Sequence, residues 1–118
     1  VVETDIQEPA VGRPVDGGIE AAPEGDGTRV LLWGAVDASL RDQASAVMAQ
    51  TLAADGPVTI DVARVEFLDS SGLAFLLQLV RAGREDGRDV VLENPPALVI
   101  ELLDLLGLDR LPMRFRDA

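Results

Sequence analysis

The chain has 118 residues, 47% of them hydrophobic, and a formal charge of −11. That length suits one domain with one core, and the acidity excludes the basic footprint of a nucleic-acid binder or of a protein drawn to anionic membranes. Histidine, cysteine, lysine and tyrosine are all absent, which excludes Ser-His catalysis, thiolate and Schiff-base chemistry, and disulfides.

No apolar run is long enough to span a membrane, and the N-terminal stretch lacks a basic patch followed by an apolar segment. A cytoplasmic protein is therefore expected, with a basic-faced protein as the partner its charge would attract. Residues 1–16, VVETDIQEPAVGRPVD, mix acids, prolines and glycines without a usable period. They are expected to form a mobile tail, with a single domain over 17–118. GIEAA and TRVLLW, separated by the turn-rich PEGDG, predict a hairpin ending at Trp33, whose side chain is expected in the core. Asp37 or Ser39 caps a helix reaching about Ala54, with Leu40, Ala44, Val47 and Thr51 on one stripe. VTIDV, Val58 to Val62, predicts a central strand, and ARVEF a connector behind it.

A second helix is expected from about Ser70 to Gly83, with Leu73, Leu76, Leu77 and Val80 facing the core and Phe75 and Leu79 on another side. DVVLE predicts another strand, and NPPALVIELLDLLG a third helix stopped at Gly107. LPMRF adds an edge strand. Strands alternating with helices after one hairpin predict an α/β fold with a mixed sheet of four to five strands and helices packed against it.

The junction Asp69-Ser70-Ser71-Gly72 carries the functional question. At the carboxyl end of a strand, where ligands and partners meet α/β folds, any of the first three residues could cap the following helix, and Gly72 could let another chain approach. A nucleophilic serine has no histidine or lysine to activate it, and the pattern is not G-x-S-x-G. A phosphate cradle would need more glycines and a lysine. A phospho-accepting Asp69 would need a lysine and a metal-binding acidic pair. What survives is a serine that is acted upon, Ser70 or Ser71, with no enzyme activity and no cofactor.

VTIDVARVEFLDSSGLAFLL resembles the STAS domain of bacterial anti-sigma factor antagonists, in which a strand leads to D-S-[ST]-G-L and an apolar helix. Gly34-Ala35-Val36-Asp37 resembles the family's G-E-[LI]-D turn, departing at Ala35, where the family carries an acid. NPPALVIELLDLLGLDRL resembles its third helix, and the likeness covers roughly Gly18 to Phe115. The resemblance implies an STAS-like α/β fold and binding to an anti-sigma factor that is also an ATP-dependent serine kinase. Binding would release a sigma factor, phosphorylation of the motif's first serine, here Ser70, would abolish binding, and a serine phosphatase would restore it. It also implies a docking surface built from Asp37, Asp69, Ser70, Ser71 and Gly72. Phe75 and Leu79 become candidate exposed anchors for the partner, against the plainer role of packing under a neighbouring element. The alternative is a STAS module that is never phosphorylated and serves as a nucleotide- or small-ligand-binding or scaffold subunit.

Overall fold

The computed structural model describes residues 17–107 and 114–117; the expected tail, and Leu111 to Met113 of the expected edge strand, lie outside them. β1 (Gly17–Glu24) and β2 (Gly27–Val36) form an antiparallel hairpin around Gly25 and Asp26. Gly25 takes φ +58 there, a conformation open to glycine at no steric cost. β2 pairs in parallel with β3 (Val58–Leu68), β3 with β4 (Val90–Glu93), and β4 with β5 (Arg114–Arg116). The result is a mixed five-stranded sheet in the order β1-β2-β3-β4-β5.

Each parallel step crosses over through a helix: α1 (Arg41–Ala53), α2 (Ser70–Glu85) and α3 (Ala97–Leu105). The steps run in one direction, so crossovers of the usual right hand place all three helices on one face. The core agrees. Val30, Leu32 and Val36 of β2 and Ile60 and Leu92 of the next strands form one cluster with Val47 of α1, Leu76 and Leu79 of α2, and Val99 and Leu103 of α3. Along β2 the intervening residues Arg29, Leu31, Trp33 and Ala35 are half-buried on the opposite, open face, as a period of two requires. α1 also ties down the edge strand: Gln43 Oε1 accepts from the Ile19 amide at 3.0 Å, and Gln50 Nε2 donates to the Ala21 carbonyl at 3.1 Å. Two of the groups that make an edge strand adhesive are thereby occupied.

Three expectations are corrected. Trp33 is half-buried on the open face, where its ring lies against Gly18: a Cβ on that glycine would fall 2.1 Å from the indole. The ARVEF segment is strand, because β3 continues to Leu68, with register shifts against β2 beside Trp33 and Ala35. On α2 the buried face is Gly72, Phe75, Leu76, Leu79, Val80 and Gly83, while Leu73 and Leu77 are half-buried.

Two polar clusters hold the layers. Arg88, only 5% exposed, donates through Nη1 to the Thr51 carbonyl at 2.6 Å, through Nε to Gly56 at 2.6 Å and through Nη2 to Asp55 at 3.3 Å. On the open face, the buried carboxylate of Glu93 accepts from Arg29 Nη1 at 2.7 Å and from Arg116 Nη2 at 2.8 Å; Arg29 also meets Glu24 and Asp61. The hydrogen bond from Arg29 is the main cause, with Arg116 adding to it, that holds the Glu93 carboxyl below the usual carboxylate range against the opposing effect of burial. A carboxylate whose folded pKa is depressed contributes stability above its unfolded pKa, about 4.3 for glutamate, and loses it as pH falls through the folded value. Glu93→Gln is therefore expected to flatten the loss of stability below about pH 4.3. Denaturant titrations of both proteins between pH 7 and 2.5 check this; parallel acid limbs would reject it.

Candidate functional site

β3 ends at Leu68 and α2 begins at Ser70, so Asp69 occupies the N-cap. Its backbone is extended, and its Oδ1 accepts from the Gly72 amide at 2.9 Å. Its carbonyl accepts the Leu73 amide at 2.9 Å. Its own amide donates to the Val36 carbonyl at 3.4 Å, which ties the junction to the end of β2. Of the residues that could cap, Asp69 does so.

Ser70 and Ser71 occupy the first helical turn and are both exposed. Amides at a helix start lack intrahelical acceptors, and the helix dipole places partial positive charge there. A hydroxyl in that turn can gain a phosphate without electrostatic harm to the helix. The two serines face different surroundings. Ser71 lines a groove of about 560 Å³ between α1 and α2, whose walls include Leu40, Met48, Leu52 and Phe75; Ser70 is not part of that lining.

Gly72 is buried, which corrects its expected role of admitting another chain. A Cβ there would stand 2.2 Å from the Val36 carbonyl oxygen and 2.8 Å from Leu68 Cδ1. The close approach that this glycine permits is internal, between the start of α2 and the ends of β2 and β3. Phe75 and Leu79 are corrected too: they are 7% and 1% exposed, so neither offers the free apolar surface expected of an anchor. The exposed apolar residue near the junction is Phe67, 53% exposed and paired across the sheet with Ala35. Strand alternation could not have singled it out, because the register shifts leave both Glu66 and Phe67 exposed and Val65 buried.

Asp37 caps the short 3-10 turn Ala38–Leu40, its Oδ1 accepting from the Ser39 amide at 2.9 Å and the Ser39 hydroxyl at 2.5 Å. Those bonds, the hydroxyl's first, hold its carboxyl below the ordinary range. Asp37 lines the same groove as Ser71 and Gly72, so the structure brings the two motif segments, 34–37 and 69–72, to one end of the molecule. Among the described residues no cluster of acidic side chains is arranged to hold a metal ion, and no helix is long and apolar enough to cross a membrane.

A family model described as "Mlab, STAS domain" matches residues 20–114. The chain belongs to the STAS domain family. Among solved structures, this STAS domain is similar to the anti-sigma factor antagonist SpoIIAA in its unphosphorylated form, at 18% identity and TM-score 0.68, covering 86% of this chain and 89% of that chain. It is equally similar to the phosphorylated form of the Bacillus cell fate determinant SpoIIAA, at 21% identity and TM-score 0.68, covering 86% and 91%. An anti-sigma-factor antagonist (STAS) domain protein from Planctomyces limnophilus matches at 20% identity and TM-score 0.59, covering 86% and 90%. No curated protein matches the sequence. The shared feature is the STAS fold, a mixed five-stranded sheet with three helices packed against it.

Proposed function

We propose that this STAS domain is an anti-sigma factor antagonist, a binding protein and not an enzyme, switched by phosphorylation of Ser70. The observation that carries the reading is an exposed hydroxyl in the first turn of α2, beside a cap already supplied by Asp69 and outside the α1–α2 groove. Neither serine is needed as the cap, which frees Ser70 to be a substrate. The fold shared with SpoIIAA, an anti-sigma factor antagonist with a phosphorylated and an unphosphorylated form, is in keeping with this reading.

In this reading the unphosphorylated protein docks on an anti-sigma factor that is also a serine kinase, through Asp37, Asp69, Ser70 and Ser71, and the sigma factor is released. The kinase supplies the ATP, and a serine phosphatase resets the switch, all in the cytoplasm. A phosphoserine adds about −1.5 to −2 charges, which the helix start accommodates and a docked partner does not. Burying that dianion without new cations costs several kcal/mol, so binding weakens while the fold stays intact.

The test is incubation with the organism's anti-sigma kinases and ATP, followed by intact-mass spectrometry, peptide mapping across Val65 to Arg81, and binding titrations. One phosphate on Ser70 is expected. Ser70→Glu is expected to bind the kinase roughly a hundredfold more weakly, an effect of about 2.7 kcal/mol, while Ser70→Ala keeps binding and takes no phosphate. A phosphate on Ser71 would move the switch by one residue. No phosphate and no binding would reject it.

The α1–α2 groove gives the second reading its own footing, because about 560 Å³ with apolar walls is room for a small ligand. In that reading the domain is a ligand-binding or scaffold module and the serines stay unmodified. Equilibrium dialysis with labelled nucleotides separates the two.

A further inference from the structure

β5 is held to the sheet differently from its neighbours. All three of its residues are exposed, and Phe115, its one apolar side chain, leaves 44% of its surface in solvent. β4 beside it is buried along its whole length. β5 adds no residue to the buried core; backbone pairing, two arginines and the covered half of Phe115 attach it.

Those arginines reach back to β4 and to the residue before it. Arg116 donates to Glu93 Oε2 through Nε at 3.1 Å and Nη2 at 2.8 Å, and Arg114 grips the Asp89 carboxylate with Nε and Nη2. The Asn94 amide donates to the Arg116 carbonyl at 2.6 Å. Glu93 has a second guanidinium: its Oε1 accepts from Arg29 of β2 at 2.7 Å. This division of labour decides how readily β5 can leave. A buried carboxylate stripped of its only cation would be strongly disfavoured, but Glu93 keeps Arg29 when Arg116 departs. Asp89 and Arg114 are both exposed, so water replaces their contact at little cost.

We propose that β5 is an ionic strap, which opens and closes on an intact four-stranded core and covers the edge of β4 when closed. Opening presents the unpaired N–H and C=O groups of a strand whose side chains are already buried, the arrangement that accepts an added strand. Ionic strength modulates how often this happens through the Arg114–Asp89 pair, the closing contact made between exposed charges.

The Asn94 amide reports the closed state directly, because its acceptor belongs to β5. Hydrogen exchange followed by NMR on the full chain, at 20 and 500 mM salt, compares Asn94 with Ile60 of the central strand. We expect Asn94 exchange to rise about two- to fivefold with salt, the scale of one exposed ion pair, while Ile60 is unchanged. Arg114→Gln/Arg116→Gln should exchange rapidly at Asn94 in both salts, again with Ile60 unchanged. If Asn94 and Ile60 exchange in step under all conditions, β5 leaves only when the whole domain unfolds and the proposal is overturned. A fast but salt-independent Asn94 would overturn the ionic character of the strap. The salt series uses the unmodified protein, so it decides even if the double variant folds poorly.

Discussion

Arg88→Met is expected to remove about 2–3 kcal/mol of folding stability, the scale of hydrogen bonds to a charged group whose carbonyl partners are left unpaired. The guanidinium ties together three carbonyls, at Thr51, Asp55 and Gly56. Thr51 lies in the last turn of α1, where its carbonyl also accepts the Ala54 cap amide at 3.2 Å and a cation is favoured by the helix dipole. The side chain comes from the turn between α2 and β4, so it fastens the end of one crossover to the next. Arg88→Lys separates charge from geometry. A lysine keeps the positive charge but places its donors at one point, and it is expected to recover less than half of the loss. Denaturant midpoints for the three proteins check this; a lysine variant as stable as the parent would show that charge alone is sufficient.

Gly72→Ala is expected to lower the melting temperature by roughly 10 °C, although alanine is the better helix former by about 1 kcal/mol. The added carbon would meet the Val36 carbonyl oxygen at 2.2 Å, and backbone cannot swing aside as a side chain can. Overpacking of this kind costs about 1–3 kcal/mol and occasionally more. The same carbonyl accepts the Asp69 amide, so a shift that relieves the clash also strains the cap. Gly72→Val should be worse still, and Ser71→Ala, one residue earlier and exposed, should leave the melting temperature within about 2 °C. Thermal melts of the three variants suffice. If Gly72→Ala melts with the parent, the start of α2 has freedom to move that the packing denies it.

Much of the fold is legible in the sequence because local signals and tertiary packing agree. The hairpin around Gly25, the alternation of strand and helix, the mixed sheet and the stop at Gly107 all follow from turn chemistry and period. α2 is different. Its apolar residues run almost all the way round, so periodicity could not choose between the stripe through Leu73 and Leu77 and the stripe through Phe75 and Leu79. Two glycines could have chosen. Gly72 and Gly83 stand eleven residues apart, three turns along one face, and both lie where a Cβ would collide, with Val36 at one end and with Val90 Cγ2 at 2.8 Å at the other. Helices are drawn down onto a sheet at their small residues, and that face was the buried one. Arg88 had no such signal, since an arginine in a turn reads as a solvated charge until the carbonyls around it are known. At the junction, the chemistry of Asp69, Ser70 and Ser71 suits a cap equally and the backbone geometry assigns Asp69; the difference between Ser70 and Ser71 is a matter of which way the helix is rotated, and the resemblance alone had separated them.

The internal contact of Gly72 has a further consequence for the four-letter motif. A library randomised at positions 69 to 72 and sorted only for folded protein should return aspartate or another capping residue at 69 and glycine at 72, with 70 and 71 drifting freely. Under the proposed function, sorting the survivors for association with an anti-sigma kinase should then constrain position 70. The motif would separate into letters read by the chain itself and a letter read by another molecule, and two successive selections on one library would spell out which is which.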